Sequence, residues 1–259
     1  MDIAVLVKQV PDTYGVRKLT TDTWVQDRAA SDQVIDEIDT KGVEIALQLK
    51  EKHGGEVTVV TLGPASATDV LRKGLAMGAD KAVHIVDDGL AGSDALGTSA
   101  ALAAALATLS VDLIITGNEA TDGRTGSVPA MLAERLGLPA VTSVRTIEID
   151  GTTITAERVM DAGYSEVTAS LPAVVSVNEK VGEPRYPNFK GIMSAKKKPV
   201  TTLSAADLGL DLATVGLAGA STQVVDGIPR PPRSAGQKIT DDGNAGKAIA
   251  EYLAAQRLV

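Results

Sequence analysis

The sequence predicts an α/β fold: a mostly parallel sheet flanked by helices, with an antiparallel hairpin insert and an extended C-terminal arm. Three observations support this fold class. Aliphatic runs alternate with helical patterns over residues 1–142, strand-like segments flank an Asp-Gly pair at residues 150 and 151, and prolines recur near residue 230. Strands that alternate with helices are typical of parallel sheets built from right-handed crossovers.

Four aliphatic runs in the alternating part predict buried parallel strands, namely Ile3–Val7, Val57–Leu62, Ala82–Val86 and Leu113–Thr116. Apolar residues at helical spacing predict four helices, namely Lys41–Lys52, Ala67–Met77, Asp94–Leu109 and Ser127–Leu136.

The hairpin is predicted from Asp150-Gly151, a strong turn signal, between the strand-like segments Val144–Ile149 and Thr152–Val159. Val167–Leu171 then leads into Ala173–Val177, an aliphatic run that we expect to return to the main sheet.

The last third of the chain loses apolar periodicity, first over residues 178–198 and again after Ala205. Pro229, Pro231 and Pro232 predict a stiff, extended arm. A closing helix is predicted at Ala245–Arg257.

Composition excludes several classes of protein. The 259 residues include no cysteine and only two histidines, which excludes disulfides, cysteine-ligated clusters and a cysteine nucleophile, and leaves no metal site to propose. An acidic chain of net charge -8 with few aromatic residues lacks the features of a nucleic-acid binder. We see no leader sequence and no membrane-spanning run, and expect a bacterial cytoplasmic protein.

The loop Gly117–Ser127 joins the fourth predicted parallel strand to a helix. Ligands of open α/β sheets bind beyond the carboxyl ends of strands, and glycines followed by a helix start favour a phosphate. The loop is not a Walker motif. A capped surface turn, with Thr125 or Ser127 as the N-cap, explains the same residues.

Clustered carboxylates precede the first helix, in Val34–Asp39. Such groups commonly cap a helix and interact with its dipole. The alternative is that Asp36 or Asp39 binds a ribose hydroxyl.

Residues 178–198 carry six basic and two acidic side chains, a local charge of +4 that leaves -12 on the rest of the chain. The lysines at the end of this segment are compatible with a solvated helix end. However, Phe189, the single phenylalanine, lies among prolines and lysines, which is the pattern of an aromatic docking anchor ringed by charge.

The segment Asn178–Lys198, with Asn-Glu, Glu-Pro-Arg-Tyr-Pro and Ile-Met-x-Ala-Lys-Lys-Lys, closely resembles the signature of the beta subunit of electron transfer flavoproteins, and of the high-G+C Gram-positive bacterial type in particular. Further similarity covers almost the whole chain, at Val7–Thr13, Leu62–Ala65, Ala76–Lys81, Gly117–Gly126 and Ala235–Lys238.

The resemblance implies a Rossmann-like fold of the adenine-nucleotide α-hydrolase type and a heterodimer with a larger alpha subunit. The alpha subunit holds most of the FAD, and the beta subunit binds a structural AMP. Such a pair has no catalytic residues of its own. It accepts electrons from acyl-CoA and related dehydrogenases, as in fatty acid β-oxidation, and passes them through a quinone oxidoreductase to the quinone pool.

Site residues carried over from the family fall into three groups. The AMP-binding group is Leu6, Asp36, Ile38, Asp39, Leu62, Gly117, Asn118, Ala120, Asp122, Gly123, Arg124, Thr125 and Gly126. Thr13 and Tyr14 are the candidate flavin contacts. The dehydrogenase-docking group is Glu183, Pro184, Arg185, Tyr186, Phe189, Ile192, Met193 and Lys196, in which Phe189 replaces a leucine common in the family.

The resemblance also implies the domain organisation. Residues 1–200 are expected to form the AMP-binding domain, with the hairpin insert at 144–171 and the docking loop at 178–198. Residues 201–259 are expected to form an arm and helix that wrap the alpha subunit.

Three alternatives remain. A flavin-bifurcating member of the family would hold a second FAD in place of AMP. A stand-alone nucleotide-binding regulator would form homodimers and would not need the 178–198 loop. A nucleotide-hydrolysing enzyme is disfavoured because the Walker lysine is missing.

Overall fold

The computed structural model describes residues 1–228, 230–233, 236 and 238–259. Met1–Val224 form one compact unit and Val225–Val259 a second, smaller one. Among the described residues, no helix is both long enough and apolar enough to cross a membrane.

The elements follow the predicted order with shifted ends. The helices are α1 (Glu37–His53), α2 (Thr68–Met77), α3 (Ala95–Leu106), α4 (Val128–Leu136), α5 (Phe189–Ala195) and α6 (Ala245–Ala255). The strands are β1 (Ile3–Leu6), β2 (Gln9–Pro11), β3 (Gln33–Ile35), β4 (Val57–Leu62), β5 (Lys81–Ile85), β6 (Leu113–Gly117), β7 (Ala140–Asp150), β8 (Thr153–Met160), β9 (Gly163–Ser170), β10 (Ala173–Val177) and β11 (Val200–Leu203).

The main sheet has nine strands in the order β11-β5-β4-β1-β6-β10-β7-β8-β9. Pairing is parallel from β11 to β7 and antiparallel from β7 to β9. The α/β fold class is therefore confirmed, and β10 returns to the main sheet as expected. Strand β1 lies between β4 and β6, so the chain order reverses at β1.

Both faces of the central parallel strands are covered, which explains why β1, β4, β6 and β10 are largely aliphatic. In β1, Ile3 and Val5 pack on the side of α1 and α2, whereas Ala4 and Leu6 pack on the side of α3 and α4. This alternation places Leu6, at the carboxyl end of β1, on the α3 side of the sheet.

The hairpin differs from the prediction by one residue. Asp150 pairs with Thr153, so Gly151 and Thr152 occupy the turn, with φ of 56° at Gly151. The hairpin is also continuous with the main sheet, because β7 begins at Ala140 and pairs with β10.

Three features had no prediction. Strands β2 and β3 form a separate antiparallel pair, α5 lies inside the segment expected to be irregular, and β11 pairs with β5. The expected boundary after residue 200 falls inside β11, and the first compact unit extends to Val224. Of the predicted arm and tail motif, Pro229, Ala235 and Gln237 lie outside the described residues.

Candidate functional site

A cavity of about 590 Å³ opens at the carboxyl ends of β1, β4 and β6, where the strand order reverses. This is the usual position of a ligand site in an open α/β sheet, and the volume is typical of small-molecule pockets. Eight residues of the predicted AMP group lie in its walls, namely Leu6, Asp39, Leu62, Gly117, Asn118, Ala120, Thr125 and Gly126.

The other five residues of that group are not in the cavity walls; they are Asp36, Ile38, Asp122, Gly123 and Arg124. Arg124 has a left-handed backbone, with φ of 49°, and its side chain is exposed 3.8 Å from a Glu119 carboxylate oxygen. Asp36 and Asp122 instead act on the cavity through the backbone and the cations that shape it, and Asp39, although in the wall, also bonds to backbone amides there.

Asp36 joins helix α1 to the loop after β6. Its Oδ1 accepts a hydrogen bond from the Ile38 amide at 3.0 Å, which caps α1. Its Oδ2 accepts from the amide and the hydroxyl of Thr121, at 2.7 and 2.8 Å. The side chain is fully buried, and in this structure it caps the helix, as one of the two interpretations of the carboxylate cluster predicts. The other interpretation, a nucleotide contact by Asp36, stays a prediction.

Asp39 joins the ends of β1 and β6 in the same way, since it accepts from the amides of Lys8 at 2.8 Å and Gly117 at 3.2 Å. Burial and the neighbouring charge of Asp36 raise the pKa of Asp39 well above its usual value, against the two amide hydrogen bonds. Gly117 is required here because a Cβ atom would lie 2.6 Å from the Asp39 Oδ1.

Asp122 holds two cations at the cavity. Its carboxylate pairs with Lys8 Nζ at 2.7 Å and with Arg28 Nη2 at 2.8 Å, and both cationic residues line the cavity. Burial opposes ionisation, but the two cations outweigh it and lower the pKa of Asp122. The loop therefore stays anchored to β1 and to the segment between β2 and β3.

The cavity walls suit an adenine nucleotide. Leu6, Val60 and Leu90 give an apolar surface for a base, while Lys8 and Arg28 bring positive charge. The side-chain oxygen of Asn118 is buried in the wall without a hydrogen-bond partner, although buried polar atoms are normally paired. This orphaned acceptor, next to the glycine-containing loop, fits a ligand that donates a hydrogen bond.

Sequence reasoning missed several wall residues, including Lys8, Arg28, Asp87 and Asp88. Lys8 lies two residues beyond the end of β1, and this position at a carboxyl strand end indicates a ligand contact. Arg28 belongs to an excursion without apolar periodicity, and its place at the cavity depends on the ion pair with Asp122.

The candidate flavin contacts lie beyond β2. Tyr14 is 95% exposed, and the Thr13 hydroxyl donates to a Glu37 carboxylate oxygen at 2.8 Å. Arg17, from the same excursion, donates to the Thr121 carbonyl at 2.6 Å, which connects this surface to the loop of the cavity.

The predicted docking residues form an exposed apolar and basic surface around α5. Tyr186 is 94% and Phe189 80% exposed, and Ile192, Met193 and Lys196 are also exposed. Glu183 is exposed and pairs with Lys41, and Pro184 is half-buried. Arg185 differs, because its guanidinium pairs with Glu44 and Glu51 of α1.

Comparison with known proteins identifies the family of this chain. A family model described as "Electron transfer flavoprotein domain" matches residues 23–208. The electron transfer flavoprotein subunit beta of Mycobacterium leprae is 53% identical, over 100% of this chain and 99% of that protein. The protein of the same name from Thermoanaerobacterium thermosaccharolyticum is 39% identical, over 98% and 96% of the two chains. The caffeyl-CoA reductase-Etf complex subunit CarD of Acetobacterium woodii is 37% identical, over 93% and 92%.

The chain belongs to the electron transfer flavoprotein family. Within it, the full-length similarity is to beta subunits, and the high similarity to mycobacterial members agrees with the high-G+C type indicated by the sequence motifs. A beta subunit is one component of an electron carrier and works together with an alpha subunit.

Proposed function

We propose that this chain binds AMP in the cavity where the strand order reverses. We also propose that it combines with an alpha subunit whose FAD carries the electrons. The observation that supports AMP most directly is the cavity itself. It combines an apolar surface, two cations held by Asp122 and the unpaired Asn118 oxygen.

Within that cavity, the loop Gly117–Gly126 would surround the phosphate with backbone amides and the Thr125 hydroxyl. Lys8 and Arg28 would compensate its charge. AMP has a structural role in this proposal, because Asp36, Asp39 and Asp122 hold the same loop through hydrogen bonds and ion pairs within the protein. The bound nucleotide would hold the loop from the side of the cavity.

Tyr14, with Thr13 beside it, would contact the flavin held by the alpha subunit. The high exposure of Tyr14 supports this role, since a large aromatic side chain with no intramolecular cover is available for a partner. The arm and helix of residues 201–259 would wrap the alpha subunit. Helix α6 has no buried residue and exposes Ile249 and Tyr252, which leaves an apolar surface for a partner.

The exposed surface around α5 would dock acyl-CoA and related dehydrogenases. A rigid aromatic anchor among basic residues is typical of a binding hot spot with electrostatic steering. Electrons would then pass from the dehydrogenase to the FAD of the heterodimer and on through a quinone oxidoreductase, in the cytoplasm.

The test is an inventory of the nucleotides released from the heterodimer. The chain is co-expressed with the alpha subunit of the same organism, purified, denatured and analysed by chromatography and mass spectrometry. One FAD and one AMP per heterodimer are expected. Two FAD without AMP would replace the proposal with the bifurcating type. One FAD without AMP would refute the proposed AMP site.

A further inference from the structure

We propose that Arg185 is a positioning residue: its ion pairs with Glu44 and Glu51 of α1 hold the docking surface in its binding geometry, and its guanidinium does not itself contact the dehydrogenase. This inference rests on the proposed docking function of the surface around α5. It changes the role that the family motif predicts for Arg185.

The clamp formed by Arg185, Glu44 and Glu51 leaves the guanidinium little capacity for another partner. Arg185 Nε and Nη2 donate to the two carboxylate oxygens of Glu44 at 2.7 and 3.0 Å. Nη1 and Nη2 also donate to Glu51, at 2.5 and 3.3 Å, and the Arg185 backbone amide donates to Glu44 at 3.1 Å. Such bidentate pairs fix orientation as well as position.

The burial of Glu44 indicates that its ion pair with Arg185 is internal to the subunit. Glu44 is 7% exposed and also accepts a hydrogen bond from Gln48 Nε2 at 2.8 Å, so it cannot reach a docked protein. Burial alone would raise its pKa, but the hydrogen bonds from Arg185 and Gln48 lower the pKa of Glu44 and keep it charged. Because a buried charge left without its partner is strongly destabilising, the charged Glu44 favours the position in which Arg185 stays bound to it.

The segment is fastened on both sides of the exposed residues. Upstream, Lys41 of α1 donates to the Glu179 carbonyl at 2.7 Å and to Glu183 at 3.1 Å. Downstream, Arg72 of α2 donates to the carbonyls of Ala195 and Lys198, at 2.7 and 3.1 Å.

Helix α5 also approaches α2 closely, because a Cβ atom on Gly191 would lie 2.4 Å from the Ala76 carbonyl oxygen. Its N-terminus is capped by Asn188, which accepts from the Gly191 amide at 2.8 Å. Tyr186 and Phe189 therefore project from a short segment that is fixed at both ends. Tyr186 is adjacent to Arg185 in the sequence.

A surface ordered before binding loses less conformational entropy when the partner arrives. If the clamp is released, Tyr186 and Phe189 must be ordered during docking, and the affinity falls without a change in the electron-transfer step. With two side chains to be ordered, the KM for the dehydrogenase is expected to rise roughly tenfold at unchanged kcat.

The experiment compares Glu44→Gln, Arg185→Gln and the double variant in the heterodimer, in steady-state assays with an acyl-CoA dehydrogenase. The proposal predicts similar increases in KM for both single variants and no further increase in the double variant. Arg185→Lys should not restore the KM, because an ammonium cannot bind two carboxylates in the same planar geometry. Glu56→Gln, which breaks the exposed ion pair with Lys81, is the matched control and should leave the KM unchanged.

Direct contact between Arg185 and the dehydrogenase gives the opposite pattern. Glu44→Gln would then leave the KM unchanged or lower it, because the guanidinium is freed, and that result would overturn the proposal. Amide hydrogen exchange supplies a second measurement, in which Glu44→Gln, or the milder Glu51→Gln if that variant is unstable, should accelerate exchange over residues 186–195 alone. Unchanged protection in that segment would also overturn it.

Failure of the clamp is distinguishable from failure of the docking function. Phe189→Ala should raise the KM whether or not the clamp matters. If Phe189→Ala has no effect, the docking function is wrong; if it has an effect and Glu44→Gln does not, only the clamp is wrong.

Discussion

Replacing Asp36 with alanine tests whether this buried carboxylate acts on the nucleotide directly or through the loop that it braces. The variant removes the acceptor for three donors, namely the Ile38 amide, the Thr121 amide and the Thr121 hydroxyl. Loss of the helix cap costs about 1 kcal/mol, and an unsatisfied Thr121 amide costs about 1–3 kcal/mol. Relief of the repulsion with Asp39 offsets part of this.

We therefore expect the unfolding free energy to fall by about 1–3 kcal/mol, which for a unit of this size lowers the thermal midpoint by roughly 2–12 °C. Binding of AMP should weaken about tenfold or more, equivalent to at least about 1.4 kcal/mol, because the loop must be ordered again on binding. Calorimetric titration of the nucleotide-stripped heterodimer with AMP measures this change.

A double-mutant cycle with Thr121→Val separates the two roles of Asp36. Thr121 is not in the cavity walls, so its hydroxyl can influence AMP only through the loop. Bracing predicts that Thr121→Val weakens AMP binding and has little effect in the Asp36→Ala background. The control is Asp80→Ala, which removes the acceptor of the Val57 amide at the opposite end of β4 and should cost stability without changing AMP affinity. The reasoning is refuted if Asp36→Ala abolishes AMP binding at unchanged stability and Thr121→Val has no effect.

Three further changes test other parts of the account. Gly191→Ala places a Cβ atom 2.4 Å from the Ala76 carbonyl oxygen and should lower the unfolding free energy, measured by chemical denaturation, by about 1–3 kcal/mol. The control Gly246→Ala, with no atom within 4 Å of the new Cβ, should be neutral or slightly stabilising. Equal effects of the two substitutions would contradict the close packing of α5 on α2. Because the pKa of Glu44 is lowered on folding, its ion pair contributes stability above the ordinary glutamate pKa of about 4.3 and loses it as the pH falls through the lowered value. The stability gap between wild type and Glu44→Gln should therefore be present at neutral pH and shrink in acid, and a constant gap would contradict the lowered pKa. Tyr14→Ala should leave stability within about 0.5 kcal/mol but shift the absorbance spectrum of the bound FAD, and an unchanged spectrum would count against a flavin contact.

Periodicity and turn chemistry predicted most of the α/β unit, because its parallel strands are buried on both faces and its helices have one apolar face. The elements without a prediction lack that signal. The first half of β9, ahead of the predicted segment Val167–Leu171, begins with Gly163 and Tyr164; Tyr164 is exposed and stacks against Arg145, so tertiary contacts rather than alternation define that half. Helix α5 is held by Asn188 and by its packing on α2, and its large apolar side chains, Phe189, Ile192 and Met193, are exposed.

The candidate site was predictable in position but less so in detail. The end of β1, the end of β6 and the loop between β6 and α4 are in the cavity walls as the strand order requires. What the sequence could not supply was which carboxylates face the cavity and which brace it, since Asp36, Asp39 and Asp122 differ only in the donors that the fold brings to them. Arg185 shows the same limit, because a motif that marks a docking segment does not separate the residues that touch the partner from those that hold them in place.

The most direct measurement of the central claim is the rate of flavin reduction when the heterodimer is mixed with a substrate-reduced acyl-CoA dehydrogenase. We predict that the FAD absorbance bleaches at a rate that saturates with dehydrogenase concentration. Phe189→Ala should raise the half-saturating concentration about 30-fold or more, equivalent to about 2 kcal/mol, without loss of FAD or AMP. A wild-type flavin that the dehydrogenase does not reduce, or a Phe189→Ala variant that saturates at the wild-type concentration, would contradict the account.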